Sequence, residues 1–502
     1  MNTKQLRQKI LDLAIRGKLV PQDPNDEPAS VLLERIQAEK ERLIKEGKIK
    51  RSKKDIAPAG SADKSHYGEL PDGWAWATLG ELGFYKKGPF GSSITKAMFV
   101  PESDTAIKVY EQKNAIHKND SLGTYYISPE KFQELKGFET FPDDIIVSCA
   151  GTIGEAYVMP QTMRRGVINQ ALMRIMLYDK KIMDFYLLYF DFILKDSAQS
   201  ESKGTAIKNI PPFDVLKQFA MPIPPLREQM RIVETVASFN AAIDEIENNK
   251  TDILATITAA KSKILSLAIR GKLVPQDPSD EPAAVLLERI RAEREQLTKA
   301  GKIKRGKNEN STISSCDNSH YEKIPNGWGI SSIEDVFIIN PRNAVDDDTN
   351  ASFVPMTLLD EGFVNHFTFQ ERLWGTIKTG FTHFQNGDVG LAKISPCLEN
   401  RKSAIFKGLL NGVGAGTTEL HIFRSIQSDS ILPEYLLWFF KSDQFISYCI
   451  SAFAGAVGQQ RVGKDHVAKA LIPIPPVNEQ KRIVSAIDAV LNQLERIAEN
   501  IN

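Results

Sequence analysis

Three stretches carry residue types that do chemistry, and each lacks a part that its chemistry needs. Pro142-Asp143 followed by Glu155-Ala156-Tyr157 supplies the carboxylates of a metal-dependent nuclease site without its lysine. Asn209-Ile210-Pro211-Pro212-Phe213 is an Asn-Pro-Pro-aromatic methyltransferase motif with one residue inserted and no cofactor loop upstream, so a turn is the simpler reading. Gly412-Val413-Gly414-Ala415-Gly416 is glycine-rich, but no helix or distant ribose-binding acid follows it, and no GxxxxGK[ST] loop occurs anywhere. Four scattered cysteines (Cys149, Cys316, Cys397, Cys449) form no CxxC pair, and the histidines show no metal spacing. The residues thus assemble no catalytic set and no metal site.

The remaining polar loops suit binding. In a first segment Lys86-Lys87-Gly88-Pro89-Phe90-Gly91-Ser92-Ser93 offers Lys87, Ser92 and Ser93, and Thr152 follows a strand-like run at Asp144–Ser148. Arg164, Arg165, Lys203 and Lys208 add positive charge. In a second segment the candidates are Lys393, Asn400, Arg401 and Lys402, then Thr417 and Thr418, then Gln459, Gln460 and Arg461. Backbone N–H groups, hydroxyls and Lys or Arg suit phosphates, whereas Arg, Asn and Gln can pair with base edges. Ordinary solvated loops are the plainer reading of any one of them; as a set they point to nucleic acid.

These loops hang on a repeated scaffold. Residues 10–51 and 264–305 differ at 8 of 42 aligned positions, so 34 are identical at an offset of 254. The offset persists to Pro71-Asp72-Gly73-Trp74 and Pro325-Asn326-Gly327-Trp328. At an offset of 251, Pro222-Ile223-Pro224-Pro225-Leu226-Arg227-Glu228-Gln229 matches Pro473-Ile474-Pro475-Pro476-Val477-Asn478-Glu479-Gln480. Between the two motifs runs Leu226–Arg270, free of proline and glycine, with apolar residues at Ile232, Val236, Phe239, Ile243, Ile246, Ile253, Ile257, Ile264 and Leu267. Alternating steps of four and three predict one helix, roughly 65 Å long, that buries a narrow seam against a partner. Ile483, Ile487, Val490 and Leu494 repeat the first half of that seam, and Leu6, Ile10 and Leu13 the second. The terminal helices are therefore the two halves of the central one, and the termini are expected to lie close together and jointly form its partner. Gly17 and Gly271 stop a helix, and Pro28 and Pro282 fit the first position of the next, which ends at Gly47 and Gly301.

With 502 residues, zero formal net charge and no apolar run of membrane length or signal peptide, the chain reads as a cytoplasmic protein of several units. The expected class is mixed α/β: two globular α/β domains separated by long antiparallel coiled-coil helices in a pseudo-twofold, circular repeat. The expected divisions are 1–54 (helical), 65–221 (first α/β domain), 222–308 (central helical), 319–472 (second α/β domain) and 473–502 (C-terminal helix). Helices are expected near Phe185–Leu194 and Pro433–Tyr448.

The two Pro-x-Pro-Pro-x-x-Glu-Gln helix starts, the Leu-Ala-Ile-Arg-Gly-Lys-Leu-Val-Pro-Gln-Asp-Pro repeats and the Gly-Trp pairs resemble the specificity subunit of type I restriction-modification systems. The resemblance extends over essentially the whole chain and includes the second segment's AKISPCLENRK and GVGAGTTELHIFR. It implies a non-catalytic subunit whose two target-recognition domains each read half of a bipartite site in double-stranded DNA, while the helices fix the spacer. It also implies two methyltransferase subunits and restriction subunits as partners. The S-adenosylmethionine, ATP and Mg²⁺ then belong to those partners, with no cofactor in this chain. A protein-bridging scaffold without catalysis is the alternative.

Overall fold

With no helix breaker between them, Leu226 and Ile269 bound a single helix of 44 residues. The computed structural model describes residues 2–51, 69–150, 152–200, 213–303, 324–456 and 458–501. It divides into two units, Met1–Asn248 and Asn249–Asn502, and the long helix gives one half to each. Among the described residues eight helices reach eight residues or more: α1 (Thr3–Ile15), α2 (Ala29–Lys45), α3 (Met183–Ser200), α4 (Leu226–Ile269), α5 (Ala283–Lys299), α6 (Pro433–Phe440), α7 (Asp443–Ile450) and α8 (Val477–Ile501). Among the described residues, none is long and apolar enough to cross a membrane.

Each unit pairs a helix with half of α4, and the contacts repeat. In the first, Arg7 donates to Asn240, Asp244 and Glu247 while Gln22, past the end of α1, reaches Glu228. Early residues of one helix thus meet late residues of the other, which is an antiparallel pair. In the second, Lys261 meets Glu495 and Gln276 reaches Glu479. These partners are the offset equivalents of Arg7–Asp244 and Gln22–Glu228, so the repeated sequence folds twice into the same pair.

The seam is narrower than the heptads predict. Ile232, Val236 and Ile243 are buried with Ile10, and Ile257, Ile483 and Ile487 are buried in the second unit. Phe239, Ile246 and Ile253, seven residues apart, remain 46%, 44% and 43% exposed. Val490, Leu494, Ile264 and Leu267 are half-buried, whereas Leu265, Ala268, Ile269 and Leu491 take the interior places. The stripe turns because the end of α4 packs on Ala283, Leu286 and Ile290 of α5 and on the sheet domain, not on one partner helix alone. Leu11, Ala14 and Ile15 do the same on Ala29, Leu32 and Ile36 of α2.

Between helices the two motifs close one junction. Glu228, in the first turn of α4, is buried and accepts from Trp74 Nε1 and Gln22 Nε2, both at 3.0 Å. Glu479, in the first turn of α8, accepts from Trp328 Nε1 at 2.9 Å and Gln276 Nε2 at 3.1 Å. Burial raises the Glu228 carboxyl above its usual range, and the two donors pull against that shift. Beside each carboxylate, Asp26 pairs with Arg231 at 2.8 Å and Asp280 with Arg482 at 2.6 Å. Gly17 and Gly271 stand at φ +65°, and a Cβ there would lie 2.4 Å from Pro71 and 2.2 Å from Pro325. Both chirality and space therefore require glycine. Pro28 and Pro282 sit one position earlier than expected, as N-caps of α2 and α5. The first helical N–H, on Ala29 or Ala283, donates to the carbonyl of Gly73 or Gly327 and so ties each helix to the junction.

The sheet domains have little sequence in common and the same topology. The first holds β1 (Ala75–Thr78), β2 (Gly83–Lys87), β3 (Ile107–Tyr110), β4 (Tyr126–Ile127), β5 (Glu139–Thr140), β6 (Ile145–Ser148), β7 (Ala156–Val158), β8 (Gly166–Ile168), β9 (Leu172–Leu177) and β10 (Ala220–Ile223). The second holds β11 (Gly329–Ser332), β12 (Phe337–Ile339), β13 (Asn350–Val354), β14 (Gln370–Leu373), β15 (Thr382–Gln385), β16 (Val389–Ala392), β17 (Ser403–Ile405), β18 (Val413–Gly416), β19 (Leu420–Ser425) and β20 (Leu471–Ile474). Sheet orders β2-β9-β6-β7 and β4-β3-β8-β5 recur as β12-β19-β16-β17 and β14-β13-β18-β15, and the pair β1-β10 recurs as β11-β20. The parallel contact β3-β8 returns as β13-β18. In each domain a buried aspartate immediately precedes an inner strand, β6 or β16, of one of the two four-stranded sheets. Asp144 accepts from Phe141 N–H and faces Arg174 at 3.6 Å, and Asp388 accepts from Gln385 N–H and pairs with Arg424 at 2.7 Å. Burial pushes Asp144 up to about 6 and raises Asp388.

The segment Pro433–Tyr448, expected as one helix, breaks after Phe440. Ser442 caps α7 by accepting from Phe445 N–H, and Lys441, fully buried, donates to the carbonyls of Gly362 and Arg401 at 2.9 and 2.7 Å. Burial lowers the Lys441 ammonium to about 7.

Two expectations follow. Trp74→Phe keeps the ring but removes a donor from buried Glu228, so stability should fall by about 1–3 kcal/mol. Trp328→Phe should cost a similar amount; urea unfolding measures both. For Lys441 the folded pKa lies below the unfolded one, so the unfolded chain binds the extra proton between about pH 7 and 10. Wild type should therefore gain stability relative to Lys441→Met as pH rises through that window, by a few kcal/mol. Thermal unfolding of both proteins at pH 7 and pH 9.5 checks the sign.

Candidate nucleic-acid interface

Strand direction decides which loops come together. In the first domain β2 and β6 end where β9 begins, since Lys87 pairs with Met173 and Ser148 with Leu172. The loops after β2, after β6 and before β9 therefore leave one end of the sheet. They touch: Gly88 N–H donates to Leu172 O and Cys149 N–H to Ala171 O, and Asn169 Oδ1 accepts from Ala171 N–H. Lys87, Ser92 and Thr152 are exposed at this end and Ser93 is half-buried. The Thr152 turn is fixed by Ser148 Oγ, which donates to Thr152 O and accepts from Glu155 N–H.

The second domain gathers its loops the same way. Ala392 at the end of β16 pairs with Leu420 at the start of β19, and Lys393 N–H donates to Glu419 O, as Cys149 does to Ala171. A third loop joins them. Ser395 N–H donates to Gln460 O, and Arg461 forms a two-pronged pair with Glu419 at 2.8 and 3.0 Å. This Arg461 contact holds the Glu419 carboxyl below its usual range. Lys393, Thr417, Thr418, Gln459, Gln460 and Arg461, from three separate stretches, thus share one surface. Behind it His421 is buried with Nε2 against Val462 O, and burial lowers its ring to about 4.

Several expected contacts are spent within the protein. Arg164 pairs with Glu102 and Arg165 with Glu139, at the start of β8 and so at the far end of that strand from Asn169. Arg401 stands at φ +61°, donates to Lys441 O, Asp443 and Ser262 Oγ, and stacks on Phe363. It ties the loop to α7 and α4 through Nε and Nη2. Asn400 is exposed, with its amide 3.2 Å from Glu361, and Lys402 is half-buried against Met356 O. Lys203 and Lys208 lie outside the described residues, as does the Asn209–Pro212 motif.

The catalytic near-misses resolve into structure. Asp143 accepts from Gln161 and Lys180 in a tight turn, and its neighbour Asp144 faces Arg174. Val413–Gly416 is strand β18, not a phosphate loop. What the sequence passed over is Phe90. Its ring is 88% exposed among the first domain's loops, and the only signal was an aromatic residue between Pro89 and Gly91 in a basic loop.

The chain matches the family described as "Type I restriction modification DNA specificity domain" twice, over residues 71–255 and 325–502. It is 43% identical over 247 residues to the type I restriction enzyme EcoAI specificity subunit of Escherichia coli, covering 48% of this chain and 41% of that one. Against the EcoEI specificity subunit of Escherichia coli identity is 43% over 253 residues, covering 50% and 42%. These alignments span about two fifths of each relative's length. The HsdS subunit of Thermoanaerobacter tengcongensis aligns at 16% identity over 86% of this chain and 93% of its own, with a TM-score of 0.46.

Proposed function

Because the chain belongs to the type I restriction-modification DNA specificity family, we propose that it is the DNA-reading subunit of such a complex, each sheet domain reading one half of a bipartite duplex site. The observation that carries this reading is the doubled loop surface. In two domains of dissimilar sequence, loops bearing Lys, hydroxyl and amide groups leave the same end of the same sheet. Lysine and hydroxyl groups position a duplex through its phosphates, and loops that differ between domains read different bases. Two weak half-site contacts on one chain gain affinity through effective concentration, and the paired helices set the spacer. The same helices dock two methyltransferase subunits, with restriction subunits completing the complex. S-adenosylmethionine, ATP and Mg²⁺ are used by those partners, in the cytoplasm, and this chain contributes recognition without catalysis.

Methylome sequencing of a host expressing the chain with its modification subunit tests the assignment. Replacing residues 65–221 by the corresponding domain of a relative should change one half of the methylated sequence and keep the other half and the spacer. A change in both halves would overturn the modular reading. Independently, binding of the complex to its duplex should weaken with salt, and Lys393→Ala should reduce the slope of log K against log salt by about one. A salt-independent association would point to a protein-bridging scaffold instead.

A further inference from the structure

The loop after β2 is built to hold one aromatic ring in solvent. Its stem is welded to the domain: a Cβ on Gly88 would lie 1.8 Å from Asn169 O, so only glycine permits this approach. Pro89 on one side and Ile94 on the other are buried. Between them Phe90 O accepts from Ser93 N–H at 2.8 Å, closing a 3₁₀ turn over Gly91–Ser93. A Cβ on Gly91 would meet nothing within 4 Å, so the tip stands clear of the rest of the domain. The ring that this turn presents is 88% exposed, which disfavours it relative to burial.

The surroundings say what the ring is for. Lys87 and Ser92 beside it are exposed and polar. In the described part of the first sheet domain the other exposed large apolar side chains are Phe141, in the turn before β6, and Val215, beside Lys217 whose carbonyl accepts from Gly80 N–H ahead of β2, so both lie away from the end of the sheet that carries Phe90. An isolated ring in a polar, basic surface does not make the apolar patch that a protein partner would need. It has the form of a wedge that enters a base step while its neighbours hold phosphates. Among the described residues, the equivalent loop of the second domain, after β12, carries no exposed aromatic ring. That loop starts at Asn340, whose N–H donates to Ile422 O and whose side chain accepts from Ile422 N–H.

We propose that Phe90 inserts into a base step of duplex DNA at the half-site read by the first domain, unstacking that step and no step in the other half-site. The inference rests on the DNA-reading assignment above. The test uses the full chain in complex with its modification subunit, and a duplex carrying the site found by methylome sequencing, with 2-aminopurine placed at successive positions. Wild-type complex should brighten the probe at one step within the first domain's half-site only. Phe90→Ala should abolish that signal and weaken binding about 10–100-fold, as loss of one stacking contact predicts. Phe90→Trp should keep the affinity, and its added fluorescence should be quenched by DNA. Phe90→Ala with unchanged affinity and an unchanged probe signal would overturn the wedge while leaving the DNA-reading assignment intact. Loss of the modification subunit from the Phe90→Ala complex would make the ring a protein contact and overturn it likewise. Failure of the wild-type complex to bind any duplex would remove the assignment and the wedge together.

Discussion

A buried carboxylate at the start of a long helix is the contact on which the rest of the architecture depends. Glu228 and Glu479 each sit in the first turn of a helix, where the unsatisfied N–H groups favour negative charge. Each gathers a tryptophan N–H from the approach to a sheet domain and a glutamine N–H from the loop after the preceding helix. Three segments distant in sequence thereby meet at one point. An unpaired carboxylate there would carry a desolvation penalty with nothing to offset it, so the glutamine, the tryptophan and the glycine that lets them approach are bound to one another.

Against that fixed point the sheet domains differ in sequence and keep one topology. Ten strands recur in order and pairing, and with them the Asp–Arg contact between an inner strand and its neighbour. The loops at the far end of those strands do not recur: one domain presents a glycine-rich turn with a naked ring, the other a three-loop cluster locked by Arg461 and Glu419. A constant framework with inconstant loops separates stability from recognition, since changes at the tips leave the buried pairs alone.

The helical scaffold was legible in the sequence because its signals are local and repeated. Gly17 and Gly271 end their helices at positive φ, and the run Leu226–Ile269 is one helix. The details that went astray depend on neighbours that periodicity does not report. Pro28 caps its helix because Gly73 receives the next N–H, and the end of α4 buries Leu265, Ala268 and Ile269 because it packs on a second helix and a sheet, whereas Phe239, Ile246 and Ile253 stay exposed. For the candidate loop surface, residue type was a poor guide. Arg401 looked like a base reader and is a strut, since Asp443 and the Lys441 carbonyl take its donors. Phe90, named only as one member of the Lys86–Ser93 loop, stands in solvent. Which charges are already spent is a property of the folded surface, so no single stretch announces it.

The near-identity of residues 10–51 and 264–305 also has a genetic side. Two stretches so alike within one chain offer equivalent joining points for an in-frame deletion. A deletion between them removes 254 residues and leaves a chain of 248 (502 − 254), with one sheet domain instead of two. That shorter chain still carries one glutamine, one tryptophan and one glutamate at the places where they meet, because the repeat and the distal motif each survive in a single copy. The junction is thus indifferent to which copy of the repeat it is built from. Loss, duplication or exchange of a sheet domain at the repeats would therefore leave the junction complete.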